Sequence, residues 1–124
     1  MSAALMRKLS QAQERLQNGD VAGAQFLCEE VLQRAPRNPD ALHVLGLTHL
    51  MTGRAREAVP ILEQALSAEP RHGAALENLG LAHLMLGQPA EAERALRSAV
   101  ALPNAPASVL MRSEERRVGK ECRL

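Results

Sequence analysis

Aromatic residues are almost absent from this chain of 124 residues, which has one Phe (Phe26) and no Trp or Tyr. Sheets favour β-branched and aromatic residues, whereas this sequence is rich in Ala, Leu, Glu, Gln and Arg, which favour helices. The composition therefore predicts an all-α fold with a core of Leu, Ala, Val and Met.

The sequence also lacks an excess of charge and a long apolar run. Its formal net charge is +1, so no basic block indicates a nucleic-acid partner. No segment approaches the roughly 18 apolar residues of a membrane span, and the first residues lack the apolar core of a signal peptide. The two cysteines, Cys28 and Cys122, form no metal-spaced pair, so a reducing cytoplasm is the expected location.

What the sequence does contain is a repeat with a period of 34 residues. This spacing separates Gly19 from Gly53 and Gly53 from Gly87, and it also relates Ala24, Ala58 and Ala92. Two copies agree closely: the segment that begins at Ala41 reads ALHVLGLTHLMTG, and the segment that begins at Ala75 reads ALENLGLAHLMLG. Composition alone would not produce this agreement, so the pattern indicates an array of similar units.

Each copy predicts two helices separated by a turn, because apolar residues recur at helical spacing on both sides of a glycine. Asn38-Pro39 is a suitable helix start, and Gly53 can end a helix in the left-handed conformation. Pro60 is tolerable if its helix starts near Arg56. We expect helices over residues 3–17, 21–34, 39–52, 55–68, 73–86, 89–102 and 107–117.

Two glycines in the middle of predicted helices need a packing reason. Gly46 and Gly80 are equivalent in the repeat, and a mid-helix Gly costs about 1 kcal/mol relative to Ala. We therefore expect the paired helix to approach closely at both positions, with Ala58 and Ala92 as the facing small residues.

These features resemble the tetratricopeptide repeat, in which a Leu-Gly pair, small residues, an alanine and a closing proline recur over about 34 residues. Leu45-Gly46, Leu79-Gly80 and Pro70 match this pattern. Leu42 and Leu76 stand where the family often has Trp, His49 and His83 where it often has Tyr, and the first copy is weaker. The resemblance covers residues 5–111 and implies an all-α tetratricopeptide-type α-solenoid. Its repeats would span 5–38, 39–72 and 73–106, with part of a fourth from 107.

Residues 112–124 do not continue the repeat. RSEERRVGKEC, from Arg112 to Cys122, matches the translation of a common sequencing adapter, so we expect a non-native tail after a domain of residues 1–111. Without the tail, ten basic residues face eleven acidic ones and the net charge becomes −1. A fourth repeat cut in its first helix also predicts self-association through the C-terminal end.

No pattern in the sequence indicates catalysis, a bound cofactor or a metal site. His49 and His83 are expected to pack inside their hairpins, and His43 and His72 to lie on the surface. Cys28 is expected to be a buried small apolar residue. The chain has no phosphate-binding loop, nucleophile elbow or HExxH motif.

The resemblance instead implies a binding scaffold for a peptide or protein, because the first helices of stacked repeats line a concave surface. Asn78 matches a backbone-gripping asparagine but has no expected partner in the previous repeat, so a clamp for a chaperone tail is disfavoured. Leu47, Met51, Leu81 and Met85 favour an apolar segment. The candidate ligand-binding residues are Gln13, Asp40, His43, Val44, Leu47, Met51, Glu77, Asn78, Leu81 and Met85.

An alternative follows from family analogy alone. Similar leading repeats precede sulfotransferase or peptide glycosyltransferase domains, so the chain could be the N-terminal repeat segment of a larger, truncated enzyme. The genomic reading frame beyond Met111 distinguishes the two.

Overall fold

The computed structural model describes residues 2–103, and its helices agree with the predicted ones to within two residues. They are α1 (Ala3–Gln17), α2 (Val21–Arg34), α3 (Pro39–Met51), α4 (Ala55–Ala68), α5 (Gly73–Met85) and α6 (Pro89–Val100). Residues 2–103 contain no strand. The all-α prediction is confirmed.

Three predictions concern residues beyond 103: the seventh helix in a partial fourth repeat, the non-native tail and the self-association. They lie outside the described part of the chain and stay predictions. Within residues 2–103, no helix is long and apolar enough to cross a membrane.

Local sequence explains where the helices start and end. The Asn38 side chain accepts a hydrogen bond from the Ala41 N–H at 2.9 Å, and Pro39 occupies the first helical position, where its missing N–H costs nothing. Gly53 has a φ of +74°, a left-handed conformation that glycine adopts without strain. The predicted turns after the first helix of each hairpin are therefore confirmed.

The helices pack as three hairpins, α1–α2, α3–α4 and α5–α6, and each hairpin packs on the next through α2 against α3 and α4 against α5. In addition, α1 contacts α3 and α3 contacts α5. The first helices of the hairpins therefore lie side by side and share one face of the stack.

The core runs through the stack between the hairpins. Ala24, Ala58 and Ala92 are buried at equivalent positions of the three second helices. Cys28 is fully buried beside Val31, as its sequence context predicted. Small residues at these positions let the helices approach closely, which explains a core without aromatic side chains.

The mid-helix glycines face leucines, and this corrects the expected pairing with Ala58 and Ala92. A Cβ placed on Gly46 would lie 2.7 Å from the Leu62 Cγ, and one on Gly80 would lie 2.8 Å from the Leu96 Cγ. The carbonyl oxygen of Ala92 lies farther from this Cβ position, at 3.4 Å. The glycines therefore make room for a leucine side chain one turn farther along the second helix.

Candidate functional site

The neighbouring helices α3 and α5 run in the same direction along the shared face. Near their N-termini the His72 Nε2 lies 2.8 Å from the Asp40 Oδ1, and at their C-termini Met85 lines a depression beside Gly53. We call this surface the first-helix face. Its residues in the described chain are Gln13, Asp40, His43, Leu47, Met51, Glu77, Asn78, Leu81 and Met85.

A chain of polar contacts joins the N-terminal turns of α3 and α5. The Asn78 Nδ2 lies 2.7 Å from the His43 Nε2, and the rings of His43 and His72 have centroids 5.1 Å apart. The His72 Nδ1 also accepts a hydrogen bond from the Ala75 N–H at 3.1 Å and so caps α5. These contacts couple the second repeat to the third.

This network corrects two predictions. His43 and His72 were both expected on the surface. Only 11% of the His72 side chain is exposed, however, and His43 is half-buried. Asn78 was expected to have no partner in the previous repeat, yet it contacts His43 there. The His72–Asp40 and Asn78–His43 contacts each join residues more than 30 positions apart. The helical periodicity within one repeat therefore could not predict them.

Hydrogen bonds define the tautomers of the two imidazoles. Because the His72 Nδ1 accepts a hydrogen bond from the Ala75 N–H, the ring hydrogen is on Nε2, which donates to the Asp40 carboxylate. The Asn78 amide donates to the His43 Nε2. Burial lowers the pKa of His43 to about 4, aided by the neighbouring His72 and opposed by Asp40. His43 is therefore neutral at pH 7.

In the C-terminal half of the face the candidate side chains are apolar, and Arg54, Arg56 and Glu57 line the depression beside Met85. Leu81 is 38% exposed, Met85 48% and Met51 50%, while Leu47 is half-buried and packs against the core. Long, flexible thioether side chains adapt to differently shaped apolar partners. This half can therefore accept apolar side chains without a rigid pocket.

Two residues differ in exposure from what the repeat register suggests. Val44 is 1% exposed and belongs to the core between the first two hairpins, so it lies beneath the face rather than on it. Leu84 was not among the candidates, but it is 48% exposed, although the equivalent Leu16 and Leu50 are buried. Within the described residues no later hairpin covers Leu84.

The remaining candidates for chemistry are poorly suited to it. Burial raises the pKa of the Cys28 thiol to about 12, which disfavours the reactive thiolate. Burial, with Arg54, lowers the pKa of His49, whose buried Nδ1 has no hydrogen-bond partner in the described residues. The His83 Nδ1 instead lies 2.7 Å from the Gln88 Oε1. Both histidines at the Tyr positions are half-buried.

A cluster of possible metal ligands was not predicted from the sequence. Ligand atoms of Asp40, Glu69 and His72 lie within 4.8 Å of one another. The sequence did not indicate this cluster, because Asp40 is far from the other two residues along the chain. A cation bound to the His72 Nε2 would displace its proton to Nδ1, where the Ala75 N–H already points. The hydrogen bonds thus favour capping over metal binding.

With the fold and the face described, comparison identifies the family. The family described as "Anaphase-promoting complex, cyclosome, subunit 3", a tetratricopeptide-type group, matches residues 17–99. The chain belongs to this family. The resemblance to tetratricopeptide repeats that the sequence indicated is confirmed. No curated protein matches the chain.

Solved structures show the same architecture. An O-GlcNAc transferase mutant from Thermobaculum terrenum superposes with a TM-score of 0.79 and 35% identity over 82% of this chain, which spans only 19% of that transferase. The tetratricopeptide domain of Sgt2 from Aspergillus fumigatus gives 0.82 and 20% identity, covering 99% of this chain and 84% of that one. The second tetratricopeptide domain of Spaghetti, bound to the HSP90 peptide SRMEEVD, gives 0.75 and 16%, with coverages of 79% and 91%.

Proposed function

We propose that this chain is a protein- or peptide-binding repeat scaffold that presents its first-helix face to a segment of a partner. The observation that carries this proposal is the exposure of Met51, Leu81 and Met85 on one face of two adjacent helices. The His43–Asn78 contact holds these helices side by side, so the apolar side chains form one preorganised surface.

The partner segment is apolar where it meets this surface. When a partner buries exposed leucine and methionine side chains, the complex is stabilised by roughly 25 cal/mol per Å² of apolar area removed from water. The Spaghetti domain with its bound HSP90 peptide supports peptide binding as a use of this architecture. The peptide's identity does not transfer, since that structure shares 16% of residues with this chain.

The proposal gives the described residues no catalytic role, in keeping with a non-enzymatic repeat domain. The alternative, a repeat segment that leads into a sulfotransferase or glycosyltransferase domain, stays a prediction. The transferase from Thermobaculum is compatible with either interpretation, because this chain covers only 19% of it. The genomic frame beyond Met111 tests this alternative. A cytoplasmic location likewise stays a proposal.

The test of the proposed function is a binding measurement with paired truncations. The chain is screened against an array of synthetic peptides, and the strongest binder is titrated by fluorescence anisotropy. We expect Leu81→Ala with Met85→Ala to weaken binding at least about tenfold, as truncation of central apolar anchors does. Phe26→Ala is the control, because Phe26 is a large apolar residue on the second helix α2 and is even more exposed, at 63%.

Equal losses in both variants would indicate nonspecific apolar adhesion. No binding by any peptide, or binding that ignores Leu81 and Met85, would contradict the proposal. Circular dichroism of each variant confirms that the helices are retained.

A further inference from the structure

Leu84 marks an open end of the stack of hairpins. It is 48% exposed, whereas the equivalent Leu16 and Leu50 are 9% and 6% exposed. Leu16 is buried in one cluster with Ala41 of α3, and Leu50 in one cluster with Ala82 of α5. The first helix of each following hairpin therefore covers the leucine of the hairpin before it. Within residues 2–103, no following hairpin does this for Leu84.

Val100 of α6 belongs to the same open end. Its equivalents are Leu32 in α2 and Leu66 in α4. Leu32 packs against the buried residues of the second hairpin as well as the first, and Leu66 packs in the same way against Leu76 of the third. Leu84 and Val100 thus correspond to the residues with which each earlier hairpin contacts the next one.

The helices that cover the earlier hairpins use small residues for this contact. In α5, Ala75 and Ala82 are fully buried in the same cluster as Leu50. In α3, the equivalent Ala41 and Thr48 are fully buried too. The two positions are seven residues apart and so lie on one side of the helix. Small side chains there let the covering helix approach the hairpin beneath it closely.

Two other segments of the chain do not have the residues for this contact. In α1 the equivalent positions are Arg7 and Glu14, both exposed, so α1 of a second copy is poorly suited to cover Leu84. In the part of the chain that the structure does not describe, the repeat period assigns Val109 and Arg116 to these positions. Burying a guanidinium group without a partner is costly, so Arg116 is equally unsuitable.

We propose that the C-terminal end of the stack is a second binding surface, which accepts an amphipathic α-helix from a partner protein. The contact side of this helix is apolar and carries small residues at two positions seven apart, as α5 does where it covers Leu50. The bound helix buries Leu84 and Val100 and continues the packing of the earlier hairpins. This surface is distinct from the first-helix face, and the inference does not depend on the proposed function.

Peptides copied from the chain itself test the proposal, because α5 already makes the required contact with the second hairpin. A labelled peptide of residues 71–88 contains Ala75 and Ala82, and it is titrated against the full chain by fluorescence anisotropy. We expect saturable binding. Ala82→Arg in the peptide should weaken it at least about tenfold, because a large charged side chain does not fit the close contact. The matched peptide of residues 3–20, with Arg7 and Glu14 at these positions, should not bind measurably.

Variants of the full chain locate the site. Leu84→Ser should weaken binding of the 71–88 peptide about tenfold, since it removes the central apolar residue of the proposed surface. Met6→Ser is the control, because Met6 is a large apolar residue of α1 with 56% exposure, in the hairpin at the other end of the stack. It should leave binding unchanged. Circular dichroism shows whether both variants keep their helices.

Three results would overturn this inference. The first is equal binding of the 71–88 peptide and its Ala82→Arg variant, and the second is binding that Leu84→Ser does not weaken. The third is no binding to the full chain, which would mean that another occupant closes the end. Light scattering then identifies it: a dimer indicates a second copy, and a monomer indicates residues 104–124 of the same chain.

Discussion

Gly80 and Leu96 are a matched pair of residues, because the absent side chain of one makes room for the other. A methyl group on Gly80 would lie 2.8 Å from the Leu96 Cγ and 2.9 Å from its Cδ2, closer than carbon atoms pack. The Cγ is a branch point, so rotation of one methyl group cannot relieve the overlap. The same relation holds between Gly46 and Leu62 in the preceding hairpin.

We expect Gly80→Leu to lower the free energy of unfolding by about 2–3 kcal/mol, since overpacking in a close contact costs that much. Gly80→Ala should cost less than about 1 kcal/mol, because the gain in helix propensity offsets part of the overlap. Urea denaturation followed by circular dichroism measures both values.

Leu96→Ala provides the control for this pair. In that background the overlap is gone, so Gly80→Ala should become stabilising by up to about 1 kcal/mol through helix propensity alone. If Gly80→Ala has the same effect with and without Leu96, the two residues do not share the space that the structure gives them.

His43 makes stability depend on pH, because its pKa falls from 6.5 to about 4 on folding. Between these values the unfolded chain binds a proton that the folded chain does not. Stability is therefore complete above about pH 6.5 and declines as the pH falls towards 4. The upper bound of this loss is about 3 kcal/mol, reduced in practice by the partial exposure of the ring.

His43→Gln should flatten this decline, since glutamine can accept the Asn78 hydrogen bond but does not titrate. Urea denaturation of both proteins between pH 7 and pH 5 measures the difference in slope. An NMR titration of the His43 ring proton gives its pKa directly. Parallel stability curves, together with a His43 pKa near 6.5, would show that the ring is not desolvated as described.

At the scale of one element, α4 contains an unfavourable residue. Pro60 is the sixth residue of the helix (Ala55–Ala68), so it removes the hydrogen bond to the Arg56 carbonyl and crowds that turn. The helix continues because Ala58, Leu62 and Ala65 are fully buried on its inner side. Pro60 itself is exposed, as are Phe26 and Arg94 at the equivalent positions.

We expect Pro60→Ala to raise the free energy of unfolding by about 1–3 kcal/mol, because the missing hydrogen bond is restored. The greater freedom of the unfolded chain reduces this gain. Pro89→Ala is the matched control: Pro89 occupies the first helical position of α6, where proline is favourable, and its replacement should give no stabilisation. Thermal melts of both variants test the contrast, and equal shifts would mean that Pro60 does not interrupt α4.

At the scale of the whole molecule, shared leucines connect the hairpins. Leu32 and Leu47 pack against the buried residues of α1 to α3 and also against those of α3 to α5. Leu66 packs against the buried residues of α3 to α5 and also against the buried pair Leu76 and Ala99. Each hairpin therefore depends on its neighbours for burial, as in other solenoids. This stacking also determines the first-helix face, because the offset between α3 and α5 decides which side chains of one helix lie next to those of the other.

Local rules made much of this protein predictable from its sequence. The period of 34 residues, the turn glycines and the helix-starting prolines determined six helices, their limits and the order of the hairpins. These signals act within a few residues of the backbone, so they can be recognised without knowing any long-range contact. The family register, rather than these local rules, suggested Leu81 and Met85 as candidate ligand-binding residues, and both side chains are exposed.

Only the tertiary structure decided how the repeats meet. It paired His43 with Asn78 and Asp40 with His72, buried Val44, exposed Leu84 and seated Leu62 and Leu96 over the glycines. Each of these outcomes depends on the rotation and offset of one helix against another. A shift of one turn would exchange the partners while leaving every local signal unchanged, which is why the sequence by itself did not determine them.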